Sequence, residues 1–278
     1  ELTKIPRPSK HEKQVIDFLK FTRPMLDKAG LKDVYITNGE PTNWYRFSFW
    51  GEATALAGDK AALKNLGIIT SHGFYNGSYD NRWHGSHTAV GINLLRAKRP
   101  ELHAWCTSTS WTKMDARFVK EIWGNIYEAQ VNGIIPWAGL QRPPLWVGGD
   151  PNPGCAIRVS ETGDYEIQPG YWFYKQVSRA GQPGMKVAWT SSRDSELPVI
   201  AFASNGTGNK DSFVVVNTSA KEKPAEIKVT GSKTGKFIHF RTNGSDESYK
   251  ELGIVSSREG KLLYTAPPNS VTTFFSAE

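Results

Sequence analysis

The stretch from Trp105 to Trp111 reads WCTSTSW and contains residue types that suit carbohydrate chemistry. Flat aromatic rings stack on the apolar faces of sugar rings, and small hydroxyl side chains hydrogen-bond to sugar hydroxyls. Cleavage of a glycosidic bond requires a pair of carboxyl groups, and this stretch has none. The residue types therefore favour sugar binding and leave open how any bond cleavage would be performed.

Polar and aromatic residues also follow the other predicted strands of the first part of the chain. In chain order the candidates are Glu40 and Trp44, then His72 and Tyr75, then Trp111, and finally Trp137. In barrels built from alternating strands and helices, the loops after the strands form the active site. We therefore expect these side chains to gather at one edge of the sheet.

Apolar periodicity predicts alternating strands and helices up to about residue 184. Four strands are expected in DVYIT, GIITSHGFYNG, ELHAWCTS and GIIPWAGL, and NGEPTNWYRFSFWG is expected to be a polar loop. The segment DARFVKEIWGNIYEAQ has an apolar face with helical spacing, as does GYWFYKQVSRAG. Such alternation indicates a parallel sheet with helical crossovers.

After residue 184 the pattern changes to short strands separated by turn residues, which is typical of an antiparallel β-sandwich. We therefore predict an α/β domain over 1–184 and an all-β domain over 185–278. Four strands resemble half of a (β/α)8 barrel. They are too few to close one, because closure needs eight strands with matched tilt and shear.

Composition excludes several other classes. The net charge is +7, but the Lys and Arg residues are scattered and form no basic block, so nucleic acid is not an expected partner. No run of about 18 apolar residues occurs, so no membrane span is expected. The two cysteines, Cys106 and Cys155, do not match the spacing of a metal site.

Four segments together resemble glycoside hydrolase family 30: IITSHGFYNG, AWCTS, IIPWAGLQRPPLW and GYWFYKQVSRAGQPGMKVA. The resemblance implies an α/β plus all-β fold, in which the second half of a (β/α)8 TIM barrel (strands five to eight) precedes an antiparallel side β-sandwich. It also implies a retaining β-glycosidase that acts on a carbohydrate, uses no cofactor or metal, and is secreted or extracytoplasmic, its signal peptide already removed.

The nucleophile in this family is a glutamate that ends the seventh strand in a Trp-x-Thr-Glu pattern. Trp105 and Thr107 match that pattern, and Ser108 stands at the glutamate position. Retaining hydrolysis needs two carboxyl groups about 5 Å apart, so this chain is expected to be inactive as given. Ser108 is either an introduced substitution or a natural residue of a non-catalytic glycan-binding protein.

The family's acid/base glutamate lies in an Asn-Glu-Pro motif on the fourth strand, which is absent here. The expected partner is therefore an N-terminal half-barrel fragment that carries this glutamate. Glu40-Pro41 imitates the motif. We place Glu40 instead at the end of the fifth strand as a substrate-lining residue, with a surface ion pair as the alternative.

For each remaining candidate the resemblance leaves a structural alternative open. His72 would hydrogen-bond to a sugar hydroxyl or to the nucleophile carboxylate, or it would be a structural residue. Trp137 would stack beneath a sugar ring or pack in the core. Tyr75 and Trp111 would line the cleft, or they would pack in the core or in a loop. Cys106 is expected to be a buried thiol, and a disulfide with Cys155 is possible.

Overall fold

The protein is represented by a computed structural model that describes residues 10–75, 85–110, 113–142, 154–232 and 234–277. The described residues fall into two compact units. Unit 1 lies within 10–109 and 124–137, and unit 2 lies within 110–123 and 138–277.

Unit 1 is an α/β unit that contains most of the helices. Its elements are α1 (Lys10–Lys28), α2 (Trp44–Phe49), α3 (Glu52–Gly58), α4 (Lys60–Asn65), β1 (Ile69–Ser71), α5 (Val90–Arg96), β2 (Ala104–Ser110), the end of α6 (Ala116–Tyr127) and β3 (Gly133–Trp137). The strands form a sheet in the order β1-β2-β3. Strands β1 and β2 are parallel, with Ile69 opposite Ala104, which confirms the parallel pairing predicted here.

Strand β3 begins beside the start of β2, because the Asn132 backbone N–H donates to the Ala104 carbonyl at 2.7 Å. An added Cβ at Gly133 would lie 3.1 Å from the Trp105 ring. Paired strands that begin side by side run in the same direction. The ends of all three strands therefore lie at one edge of the sheet.

Two predictions for this unit are wrong. The DVYIT strand is reduced to a single parallel bridge between Thr37 and Ile68. The expected loop NGEPTNWYRFSFWG contains α2. Asn43 caps α2, since its Oδ1 accepts from the Arg46 backbone N–H at 2.9 Å, which satisfies a donor left open at a helix start.

The core of unit 1 lies between its helices and one face of the sheet. Fully buried members from the helices include Leu19, Phe47 and Leu95, and the sheet contributes Ile69 and Ala104. No helix within the described ranges is long and apolar enough to cross a membrane.

Unit 2 contains a two-layer β-sandwich. Its elements after the start of α6 are β4 (Leu140–Gln141), β5 (Ile157–Val159), β6 (Tyr165–Ile167), α7 (Pro169–Ala180), β7 (Lys186–Ala188), β8 (Val199–Ala203), β9 (Ser212–Asn217), β10 (Lys223–Lys228), β11 (Lys236–Asn243), β12 (Lys250–Ser256), β13 (Lys261–Ala266) and β14 (Ser270–Ala277). A six-stranded sheet has the order β12-β11-β14-β9-β8-β7, and its pairs are antiparallel.

The second layer is the antiparallel pair β10-β13. Phe213, Phe237 and Phe274 of the large sheet form the sandwich core together with Leu262 of β13. The predicted antiparallel β-sandwich is thus present.

Helix α7 is hydrogen-bonded to the large sheet of the same unit. Gln176 Nε2 donates to Thr242 Oγ1 at 2.9 Å, and Thr273 Oγ1 donates to the Gln176 side-chain carbonyl at 2.6 Å. The domain boundary at residue 184 remains a prediction.

Candidate functional site at the strand ends of unit 1

The sheet of unit 1 has one covered face and one open face. Cys106 and Ile134 pack toward the core. Side chains alternate along a strand, so Trp105, Ile135 and Trp137 lie on the other face, where their exposed fractions are 38 %, 49 % and 45 %. Parallel sheets are normally covered on both faces, which makes this open apolar face unusual for a finished domain.

Glu40 lies at the strand-end edge of this sheet and is held there by two neighbours. The Pro41 carbonyl accepts from Ser71 Oγ at 2.9 Å and from the His72 backbone N–H at 3.0 Å, which fixes the loop against the end of β1. Thr107 Oγ1 donates to Glu40 Oε2. The exposed Glu40 carboxylate is therefore joined to β2 one residue before Ser108, and among the described residues it has no ion-pair partner.

Ser108 has a backbone conformation that a strand residue rarely adopts. Its φ of +76° lies in the left-handed region, where a side chain costs about 1–2 kcal/mol relative to glycine. Such strain persists where the surrounding structure imposes it, and it is concentrated at functional sites. The position that the family resemblance assigns to the nucleophile is thus a strained position within β2, two residues before the strand ends.

The loop after β1 is held in place by Asn125 of α6. Asn125 is not among the residues predicted from the sequence. Asn125 Oδ1 accepts from Trp44 Nε1 at 2.7 Å, and Asn125 Nδ2 donates to the Gly73 carbonyl at 3.2 Å. Gly73 has a φ of +67°, and an added Cβ would lie 2.4 Å from both Asn125 Oδ1 and Cys106 Sγ. Only glycine fits there, and no pattern in the sequence links an asparagine inside a helix to this loop.

The structure corrects the prediction that Trp44 belongs to the substrate-binding set. Its side chain is completely buried in the core of unit 1 and donates to Asn125, so no ring face is available to a sugar. The sequence pattern could not distinguish a tryptophan in a loop from one on the buried face of α2.

The other predicted residues have different surroundings. His72 is half-buried and stacks on Phe74 at 5.1 Å, and its Nδ1 has no hydrogen-bond partner in the described part of the chain. Tyr75 is exposed and stacks on His87 at 5.5 Å. Trp137 is the last residue of β3 and is exposed on the open face. Trp111 lies outside the described residues.

Cys106 and Cys155 are both buried thiols and do not form a disulfide. Cys106 Sγ donates to the His72 carbonyl at 3.1 Å, so this thiol supports the loop after β1. Within the ranges that the structure describes, no three His, Cys, Asp or Glu residues are grouped so that they would hold a metal ion.

A buried pair of carboxyl groups lies beside this region. Glu52, at the start of α3, accepts from Asn38 Nδ2 at 2.7 Å, and Asn38 in turn bonds to the backbone of Thr70 in β1. Burial raises the pKa of Glu52 to about 7, the Asn38 hydrogen bond opposes this rise, and the nearby Glu12 carboxylate adds to it. Glu52 is thus a neutral acid over much of the acidic pH range.

Comparison with known proteins gives matches at the level of structure. No protein-family model and no curated protein matches the sequence. The chain is similar to a GH30 endoxylanase from Clostridium papyrosolvens C71, with 16 % identity, a TM-score of 0.71, and coverage of 96 % of this chain and 61 % of that one. It is also similar to the catalytic domain of GH30 xylanase C from Talaromyces cellulolyticus, with 18 % identity, a TM-score of 0.73, and coverage of 98 % of this chain and 58 % of that one.

A xyloglucanase of glycoside hydrolase family 44 from Paenibacillus polymyxa is also similar, with 12 % identity, a TM-score of 0.64, and coverage of 95 % of this chain and 61 % of that one. The chain therefore has a glycoside hydrolase fold of the family 30 type, as its motifs predicted. It spans about three fifths of the length of the solved structures that it matches.

Proposed function

We propose that this chain forms the second half of the barrel and the side sandwich of a retaining-type β-glycosidase, and that with Ser108 it binds a β-linked glycan without cleaving it. The observation that carries the proposal is Ser108 itself. It occupies a strained position near the end of β2, next to the Thr107–Glu40 hydrogen bond, and the family resemblance assigns this position to the nucleophile.

Ser108 is a poor replacement for a glutamate nucleophile. A serine hydroxyl attacks only when a neighbouring base removes its proton, and no hydrogen bond joins Ser108 to such a base among the described residues. Glu40 is one carboxylate, and retaining hydrolysis needs two of them flanking the bond. Glycan binding needs neither and is the function that these residues support.

We further propose that the open face of the sheet is covered by the first barrel half, which carries the acid/base glutamate. Trp105, Ile135 and Trp137 would then lie inside a closed barrel, with Trp137 at its mouth below the sugar. A protein that acts on polysaccharides meets them outside the cytoplasm, so we propose an extracytoplasmic location.

Replacement of the exposed ring at the end of β3 tests the glycan site. In the barrel completed by its first half, Trp137→Ala is expected to weaken binding of β-linked oligosaccharides about 10- to 30-fold, because truncation of an aromatic anchor costs about 2 kcal/mol. Isothermal titration with xylo- and β-1,6-gluco-oligosaccharides measures this, and circular dichroism verifies the fold.

Trp189→Ala is the matched control, because Trp189 lies in unit 2 and is 86 % exposed. Its binding is expected to equal that of the parent. The proposal is overturned if none of these glycans binds, or if Trp137→Ala binds them as tightly as the parent does.

A further inference from the structure

Unit 2 contains a groove of about 820 Å³ between α7 and the large sheet. Its walls carry five aromatic rings, which are Tyr171 and Tyr174 of α7, Phe240 of β11, Tyr249 before β12 and Phe275 of β14. Three of the five rings are tyrosines, which combine an apolar face with a hydroxyl group. This combination suits a ligand with both apolar faces and hydroxyls, as sugar rings have.

Three cationic side chains, Lys175, Arg179 and Lys210, line the same groove, and no acidic residue does. Lys175 Nζ lies 4.6 Å from the centre of the Tyr249 ring and 5.1 Å from that of Trp172. None of the three cations has an ion-pair partner in the described part of the chain. The groove thus has positive charges that no protein carboxylate balances.

Tyr249 is held rigidly at this groove. Its φ of +58° is rare for a bulky residue. The Tyr249 backbone N–H donates to Thr242 Oγ1 at 3.0 Å, the same hydroxyl that accepts from Gln176 of α7. Its ring stacks on Phe240 with centroids 4.8 Å apart. A strained conformation persists where the surroundings over-determine it, as at ligand clamps.

The turn that leads to Tyr249 is fixed by hydrogen bonds of its own. Asn243 Oδ1 accepts from three successive backbone N–H groups, those of Ser245, Asp246 and Glu247, at 2.9–3.1 Å. Glu247 is buried and accepts two hydrogen bonds from Arg241, so its charge is balanced away from the groove cations. The aromatic wall is therefore preformed, which lowers the entropy cost of binding.

We propose that this groove binds an acidic polysaccharide, a sugar chain that bears carboxylate groups. The carboxylates would pair with Lys175, Arg179 and Lys210, and the sugar rings would pack against the aromatic side chains that line the groove. That the anionic polymer is a glycan rests on the proposed function. That the ligand is anionic rests only on the unbalanced positive charges of the groove.

Titration of the chain with oligogalacturonate tests this site. The variant Lys175→Gln/Arg179→Gln/Lys210→Gln is expected to bind at least about 30-fold more weakly, because the paired charges are lost. The matched control is Lys186→Gln/Lys228→Gln/Lys236→Gln, which removes three exposed cations outside the groove and is expected to bind as the parent does. Tyr249→Gly keeps the positive φ without strain and is expected to weaken binding about tenfold.

Several results would overturn the proposal. One is an equal loss of oligogalacturonate affinity in the groove variant and the control variant. Another is an affinity for neutral galacto-oligosaccharides equal to that for oligogalacturonate. A third is an equal affinity for single-stranded DNA, which would indicate a general polyanion site. Trp137→Ala separates the two proposals, because it is expected to leave oligogalacturonate binding unchanged. If the groove variant binds oligogalacturonate as the parent does, while Trp137→Ala weakens binding of β-linked glycans, this inference alone is contradicted. If Trp137→Ala leaves binding of β-linked glycans unchanged, while the groove variant weakens binding of oligogalacturonate, the proposed function alone is contradicted.

Discussion

Ser108→Glu is expected to give retaining hydrolysis of a β-linked glycan in the barrel completed by its first half. The change places a carboxylate near the end of β2, and the proposed first half would supply the acid/base glutamate, so that both groups of a double displacement would be present. A gain on the order of 10³-fold over the parent is expected, which is less than the ~10⁶ that loss of a nucleophile costs in subtilisin. Release of reducing ends measures it, and NMR of the first-formed anomer reports retention.

Ser108→Gln is the matched control, because it has the shape of glutamate without the nucleophile. Serine, glutamine and glutamate all carry a Cβ, so each bears the same strain at a φ of +76° and no difference in folding is expected. Equal turnover for Glu and Gln at position 108 would contradict the nucleophile assignment. Glycan binding without any turnover for Ser108→Glu would support the alternative of a non-catalytic glycan-binding protein.

Glu52→Gln is expected to stabilise the protein at neutral and basic pH. The folded-state pKa of Glu52 is about 7 and the ordinary value is 4.5, so the folded protein binds more protons between these two pH values. The free energy of unfolding therefore falls as the pH rises through this window, and the loss is complete above pH 7. At 1.36 kcal/mol for each pKa unit, the loss reaches about 3 kcal/mol.

Glutamine still accepts from Asn38 but carries no charge, so the variant is expected to exceed the parent by up to about 3 kcal/mol at pH 8 and to equal it at pH 4.5. Urea unfolding at several pH values measures this difference. Asp33→Asn, at an exposed carboxyl group of the same unit, is the control and is expected to show no such trend. A pH-independent difference between Glu52→Gln and the parent would contradict the buried-acid assignment.

The elements predicted best are those whose apolar residues recur with a clear helical or strand period. α6 and α7 form where the helical spacing is clear, and the sandwich strands form where short apolar runs alternate with turns. The family 30 fold was also predictable, because four separate segments resemble that family.

The elements that were missed depend on contacts between distant residues. DVYIT has the composition of a strand, but Ile36 alone of its apolar residues is buried, and a single bridge forms. The stretch after it was expected to be a loop, yet Asn43 caps a helix that buries Trp44 and Phe47. In such short segments tertiary packing decides the conformation.

The candidate site was predictable only in part, because some of its residues are positioned by contacts with distant residues. Glu40 follows the predicted DVYIT strand and Ser108 lies near the end of β2, and the Thr107–Glu40 hydrogen bond joins these two segments at one edge of the sheet. Asn125, Gly73 and the Glu12–Glu52 pair have no sequence signal, because their roles depend on partners tens of residues away. The groove of unit 2 likewise combines residues from α7 and four strand regions.

The intact mass of the protein from its native source, under denaturing and reducing conditions, tests most directly whether this chain is half of a barrel. We expect polypeptide beyond these 278 residues, in the same chain or a second one, that carries an Asn-Glu-Pro motif. A single species near 30.9 kDa that is folded and monomeric under native conditions would contradict it. The open face with Trp105, Ile135 and Trp137 would then have to be stable in water without a cover.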